Sequence, residues 1–272
     1  MRNLIIVLLF IASPVFAQPV KVMTYNLRLD TESDGVNQWG KRKEKVFALI
    51  RKYDPDIFGV QEALHNQMQD LANNLKDYVY FGVGRDDGKE KGEYSAIFIR
   101  KKRFTIIEQN TFWLSKTPEV PGSKDWDASI TRVATWGKLR DKKTKKTFLM
   151  MNTHFDHRGE EARLNSAKLI KERAAQLAGD LPAIITGDFN FPREAPPYEA
   201  MMSSTGLQLV DSSPDTPPTF CGFKVAQTRC VAIDYIFHTA HWTSSNYQVI
   251  TDNDGTYYPS DHLPVIVSLS LK

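Results

Sequence analysis

Cysteine is nearly absent from this chain. Only Cys221 and Cys230 occur among 272 residues, too few for a thiolate metal cluster or a disulfide framework. Long apolar runs are missing too. The longest, Leu4 to Ala12, is about half of the ~20 residues needed to span a bilayer. Neither sign of charge dominates: 35 Lys and Arg against 32 Asp and Glu leave +3. That balance admits a phosphate-bearing substrate without demanding nucleic acid, whose binders usually carry a concentrated basic face. Gly and Pro show no collagenous or low-complexity bias, and no internal repeat is visible.

What is present begins with a leader. Arg2, the apolar run, Ser13-Pro14 and Val15-Phe16-Ala17 have the layout of a secretory signal cleaved after Ala17. Residue 18 is Gln18 and not the cysteine of a lipoprotein. Residues 18–272 are therefore expected as one domain, secreted or periplasmic, with no stable membrane anchor. In that oxidising compartment the two close cysteines are expected to form a local disulfide, with two buried thiols as the alternative.

Apolar periodicity predicts helices near Gly40 to Tyr53, around Leu64 to Leu75, and from Glu160 to Ala178. Strand-like segments surround them: Val20 to Leu27, Ile57 to Val60, Tyr78 to Val83, Ser95 to Ile99, Thr105 to Leu114, Thr131 to Leu139 and Thr147 to Thr153. Further strands follow at Ala183 to Thr186, Val231 to Phe237, Tyr247 to Thr251 and Leu263 to Leu271. Many strands interleaved with few helices suggest two packed sheets flanked by helices. The basic run Lys142 to Lys146 sits between two strand-like segments and reads as a solvated hairpin turn.

Asn26, Glu62, Glu93, His154, Asp188, Asn190, Asp234, Asp261 and His262 all fall at or just beyond strand ends or where the chain turns. Strand ends are held rigidly yet face solvent, and function concentrates there. Several strings carry a resemblance. They are Thr24-Tyr25-Asn26-Leu27, Gln61-Glu62, Asn152-Thr153-His154, Gly187-Asp188-Phe189-Asn190, Ile233-Asp234-Tyr235-Ile236 and Ser260-Asp261-His262-Leu263-Pro264-Val265. In this order they resemble the motifs of DNase I-like phosphoesterases, the endonuclease/exonuclease/phosphatase superfamily.

The resemblance implies an α/β (α+β) four-layer sandwich: two mostly antiparallel β-sheets flanked by helices, with the site at one sheet edge. It implies Glu62 as principal ligand of Mg²⁺ (Mn²⁺ as alternative), helped by Asn26 and Asp261; such hard ions prefer oxygen. Asp188 would orient and deprotonate the attacking water, with Asn190 holding it. His262 would pair with Asp234 and bind a phosphate oxygen or share the base role. His154 would pair with Glu93 and protonate the leaving oxygen. Arg132 resembles a phosphate-contacting arginine, with a surface arginine as the alternative. His157 and Arg163 either line the site or, for Arg163, anchor the following helix. The glycine-rich Gly82 to Gly88 lacks the strand-to-helix context of a nucleotide cradle and is expected as a mobile loop bordering the substrate.

These parts support metal-assisted in-line attack of water on a phosphate ester. The first expectation is an exported phosphodiesterase acting on nucleic acid. The second is a phosphomonoesterase acting on a small sugar or inositol phosphate, and a lipid-headgroup phosphodiesterase is third. A binding protein on an inactive scaffold would lack the ligand or the catalytic aspartate, and both are present. No protein partner is implied.

Overall fold

A computed structural model describes residues 18–213, 215 and 217–272; the expected leader lies outside them. The first half runs β1 (Val20–Asn26), α1 (Trp39–Tyr53), β2 (Ile57–Gln61), α2 (His65–Asn74), β3 (Tyr78–Phe81), β4 (Ile97–Arg100), β5 (Phe104–Trp113) and β6 (Val133–Asp141). The second runs β7 (Thr147–His154), α3 (Glu160–Ala178), β8 (Ala183–Asp188), α4 (Pro196–Met202), β9 (Leu209–Asp211), β10 (Asp234–Thr239), β11 (Trp242–Val249) and β12 (Val265–Leu271).

Two six-stranded sheets form, ordered β11-β12-β1-β2-β4-β3 and β5-β6-β7-β8-β10-β9. Each is mixed: β1–β2 and β7–β8 are parallel, and every other pairing is antiparallel. Parallel neighbours need a crossover, which α1 and α3 supply. Met23, Tyr25, Phe58 and Phe98 pack against α1 and α2 through Val46, Phe47, Ile50, Met68 and Leu71. Leu149, Met151, Ile185 and Phe237 pack against α3 and α4 through Ala167, Ile170, Ala174 and Met201. The remaining faces meet each other through Val22, Ile97, Met150, Ile184, Ile236 and Val267. Hence the layers run helix, sheet, sheet, helix.

Local chemistry sets the ends. α1 stops at Asp54, which is left-handed (φ 50°) and precedes Pro55, a residue that cannot continue a helix. α3 begins with Glu160 and Glu161, favourable beside its N-terminal dipole. Its first N–H groups are met from another loop: Asp127 accepts from Glu161 and Ala162 at 3.2 and 2.7 Å. Lys142 to Lys145 form the β6–β7 turn, with Asp141 accepting from the N–H of Lys143 and Thr144. α4 and β9 were not expected: elements this short leave too little periodicity to read.

Candidate active site

Both parallel pairs end at the same place. Register puts Asn26 opposite Gln61 in one sheet, and His154 and Asp234 on either side of Asp188 in the other. The carboxyl ends of parallel strands leave such a crevice because their crossovers start there. The loops leaving β7 and β8 are then anchored by buried phenylalanines. Phe155 follows His154, Phe189 follows Asp188 and Phe191 follows Asn190. Their rings pack together, with Phe155–Phe189 and Phe189–Phe191 centroids 5.1 and 5.6 Å apart.

A buried polar network fixes the spacing between the sheets. Asn152 accepts from Gln61 Nε2 at 2.7 Å and from Thr186 Oγ1 at 3.0 Å. It donates to the carbonyls of Val60 and Ala96, both at 3.0 Å. All four of its amide valences are thus used, so the amide is locked and both sheets are tied through it.

Above this floor sits a cavity of about 300 Å³ lined by Glu62, Glu93, Arg132, His154, Asp188, Asn190, Asp261 and His262, with Arg28, Leu29, Ile130, His157, Phe220 and Ile233 around them. Asp188 is its centre. Its Oδ2 accepts from Asn26 Nδ2 at 2.9 Å and lies 3.4 Å from His154 Nε2 and 3.6 Å from His262 Nε2. Its Oδ1 accepts the Asn190 N–H at 3.0 Å. Burial, then the neighbouring Asp234 charge, push the Asp188 carboxyl up to about 7. A carboxylate so placed can hold a proton near neutral pH, as a general base must.

His262 Nδ1 and Asp234 Oδ2 are 2.9 Å apart. Burial opposes the charged ring, but Asp234 and Asp188 outweigh it and raise the imidazole well above its ordinary value. The two carboxylates thus favour the charged ring of His262. His154 is the opposite case. Burial, then the Arg132 and Arg85 charges, hold it well below the ordinary value.

That difference corrects the expected Glu93–His154 dyad. Glu93 pairs instead with Arg85 and stands 3.9 Å from His154 Nδ1. Arg132 Nη1, at 2.9 Å, takes the bonding position on that nitrogen. Asn190 Nδ2 faces Nε2 at 3.1 Å. A neutral imidazole accepts at one nitrogen only, so just one of these two donors bonds the ring, while Asn190 Nδ2 also donates to the Phe155 carbonyl at 3.0 Å. Arg132 is buried, and its other arm meets His157 Nδ1 at 3.2 Å. Arg163 anchors the helix start, donating to the Asp156 carbonyl at 3.2 Å.

For a cation the oxygen donors fit. Glu62, Asp188 and His262 each bring a ligating atom within 4.8 Å of the others. Burial, then Glu62, raise the Asp261 carboxyl. Burial would raise Glu62 as well, but His262, the Asn26 amide and the Leu29 N–H together bring it below the ordinary value. Crowded, buried carboxylates of this kind are stabilised by a hard divalent ion. His262 completes that group through Nε2, its Nδ1 being on Asp234. Asn26 lies against the same carboxylates. It donates to Glu62 Oε1 at 3.0 Å and to Asp188, while its oxygen accepts the Arg28 N–H at 2.9 Å. These bonds orient the two carboxylates and leave one lone pair on its oxygen.

Three residues were missed from the sequence. Arg28 stands beside Glu62 and Asp261. Arg85 holds Glu93. Phe220 lines the mouth, its ring 4.8 Å from that of His262. None lies in a strand-end motif of acidic or imidazole residues. Cys221 and Cys230 are disulfide-bonded beside Phe220. The glycine-rich loop borders a different cavity of about 610 Å³, lined also by Tyr80, Gln109, Asn110 and Trp113. Its Gly84 lies too close to Lys91 for a side chain: a Cβ would meet the Lys91 carbonyl at 2.2 Å. The loop reaches the site only through Arg85.

The model of the Endonuclease/Exonuclease/phosphatase family matches residues 23–262. The chain belongs to this family. Family members are hydrolases of phosphate esters, and divalent-metal dependence is typical of them. An endonuclease/exonuclease/phosphatase structure from Bacteroides vulgatus aligns at TM-score 0.90 and 38% identity, covering 94% of this chain and 100% of that one. A mannosyl-6-phosphatase of Bacteroides thetaiotaomicron aligns at 0.87 and 40%, covering 93% and 100%. Mouse nocturnin is 23% identical over 293 residues, covering 93% of this chain, which spans 66% of nocturnin's length.

Proposed function

We propose that the chain is an exported, Mg²⁺-dependent phosphomonoesterase acting on a small sugar phosphate. The observation that carries this is the cavity: about 300 Å³, at the lower end of the ~300–1,000 Å³ of small-molecule sites. Leu29, Ile130, Phe220 and Ile233 line it beside the charged groups. A nucleic-acid groove would continue as a basic track following several phosphates. Likeness to the mannosyl-6-phosphatase over almost the whole chain supports the same reading. Export is supported by the leader pattern and by the Cys221–Cys230 disulfide. A mature N-terminus other than Gln18, read by mass spectrometry, would contradict it.

Glu62, oriented by Asn26, and Asp261, with Asp188 beside them, would hold the cation, which would supply charge neutralisation at the phosphate oxygens. Asp188 accepts the proton of a water positioned by Asn190 for in-line attack on phosphorus. His262, kept cationic by Asp234, donates a charged hydrogen bond to a non-bridging oxygen. Arg132 lines the same cavity, with one arm on His154 and the other on His157. The P–O bond to the sugar breaks as the new one forms, and the alkoxide leaves protonated from solvent or from His262.

The second reading, a phosphodiesterase acting on nucleic acid, keeps the same floor. Phosphate release from mannose 6-phosphate and glucose 6-phosphate, alongside cleavage of bis-p-nitrophenyl phosphate and plasmid DNA, separates the two. Each is run with Mg²⁺ and with EDTA. Hexose phosphates hydrolysed only with Mg²⁺, and DNA left intact, is the expected result. Cleavage of the diesters alone would replace this reading by the second.

A further inference from the structure

One short stretch of chain is sewn to both partners of the His262–Asp234 pair. Thr219 Oγ1 accepts the N–H groups of Ile233 and Asp234, each at 3.1 Å, and the Thr219 carbonyl accepts from Leu263 at 2.6 Å. Two residues on, the N–H groups of Cys221 and Gly222 both reach the Asp261 carbonyl, at 3.2 and 3.0 Å. Between these clamps Phe220 exchanges backbone hydrogen bonds with Val231, donating at 2.9 Å and accepting at 3.0 Å. The Cys221–Cys230 disulfide closes the turn that follows. With the backbone held on both sides, the Phe220 ring keeps its place 4.8 Å from that of His262.

That ring is 36% exposed, so it forgoes part of the stabilisation that burial would give. Single exposed apolar side chains are common on protein surfaces. The position of this one sets it apart. Of the large apolar residues exposed among those described, Phe220 is the one aromatic and the one that lines the catalytic cavity. No Trp or Tyr lines that cavity, so the phenyl ring is the flat apolar surface it offers beside its charged groups.

We propose that Phe220 determines specificity in this cavity: its ring is the platform for the C–H face of the substrate's sugar ring while the phosphoryl group lies at His262. The inference rests on the sugar-phosphate reading. A pyranose carries its hydroxyls at the rim and presents C–H groups on its face, which pack against the negative face of an aromatic ring. In a hexose 6-phosphate one carbon and one oxygen separate the sugar ring from phosphorus, a reach that matches the 4.8 Å between the His262 and Phe220 rings. The sugar takes no part in bond breaking. Contact with it is therefore equal in ground and transition states, and appears in KM while kcat stays unaltered.

The test splits KM from kcat. Phosphate release is compared for the wild type, Phe220→Leu and Phe220→Tyr on glucose 6-phosphate and mannose 6-phosphate, which carry the ring, and on glycerol 3-phosphate, which lacks it. Inhibition by inorganic phosphate reads the phosphoryl end alone, and thermal melts confirm folding. Phe220→Leu is expected to raise KM for both hexose phosphates about tenfold, the scale of one aromatic contact. Its kcat, its KM for glycerol 3-phosphate and its inhibition by phosphate should stay within about twofold of wild type. Phe220→Tyr keeps the ring and should stay near wild type throughout. A folded Phe220→Leu with unchanged KM for the hexose phosphates overturns the proposal. So does a fall in kcat on all three substrates, which would make Phe220 a packing support for His262. Should Phe220→Leu not fold, the wild type decides: its KM for the hexose phosphates must lie about tenfold or more below that for glycerol 3-phosphate, and equal values overturn the proposal. Diesters cleaved and hexose phosphates left intact would instead remove the sugar-phosphate reading, and the platform with it.

Discussion

The spacing of the two sheets under the cavity can be tested at Gly59, a fully buried position in β2. A Cβ there would lie 2.3 Å from Asn152 Oδ1, 2.5 Å from Asn152 Cγ and 2.7 Å from Thr186 Oγ1. Asn152 cannot step aside, because its amide holds Gln61, Thr186, Val60 and Ala96 at once. Gly59→Ala must therefore push the sheets apart or break part of that network. Overpacking of this kind costs about 1–3 kcal/mol, and orphaning one or two buried hydrogen-bonding groups adds about 1–3 kcal/mol each. A total of about 3–5 kcal/mol corresponds to a fall in Tm of roughly 6–20 °C for a domain of this size. Calorimetry on the metal-free and Mg²⁺-loaded protein measures it. Removing the obstruction supplies the control: in an Asn152→Ala background, Gly59→Ala should add under ~1 kcal/mol. A Tm within ~2 °C of wild type, or additive losses in the double variant, would refute the argument.

Asp188→Asn should lower kcat/KM by about 10³-fold in a phosphate-release assay, since the proton acceptor is lost. The same change should not destabilise the metal-free protein above neutral pH. A carboxyl whose folded pKa is raised to about 7 costs the native state stability as pH rises past its unfolded value, and the whole cost is present above about 7. A lower Tm for this variant at pH 8 would contradict that sign. Asp156 goes the other way: burial opposes its charge, but the N–H groups of Arg158, Gly159 and Ile130 and the Ser129 hydroxyl hold it well below the usual carboxylate range. Its stabilisation is complete above its unfolded pKa near ~4 and fades as pH falls below that. Asp156→Asn should cost about 1–3 kcal/mol at pH 7, and the difference from wild type should shrink in urea melts run at pH 3.

Much of the architecture was legible because long elements carry long patterns. The spacing over Glu160 to Ala178 has one physical solution, and α3 occupies that span. The three-residue β9 and seven-residue α4 offered no such run. At the site, residue type and strand-end position pointed to Glu62, Asp188, Asp261 and His262, all of which line one cavity. Pairing was less legible. Glu93 lies before a strand near His154 in space, yet nothing in the sequence says that Arg132 fills the bonding position on His154 and leaves Glu93 to Arg85. Nor does the sequence say that the Asn26 amide bridges Glu62 and Asp188.

The amino-acid order alone determined which chemistry this chain carries: hard oxygen ligands, a basic aspartate and an imidazole, each at the end of a strand rigid enough to aim it. It also determined the strands themselves, since burial of alternating or continuous apolar residues is a local property of the pattern. Only the tertiary structure decided the electrical state of these groups. Asp188, His154 and His262 owe their charges to neighbours brought from as far as Asn26 and Asp234. Packing the chain into two facing sheets also set Arg28 among the acids, because a charge acts over ångströms of space whatever its distance along the chain.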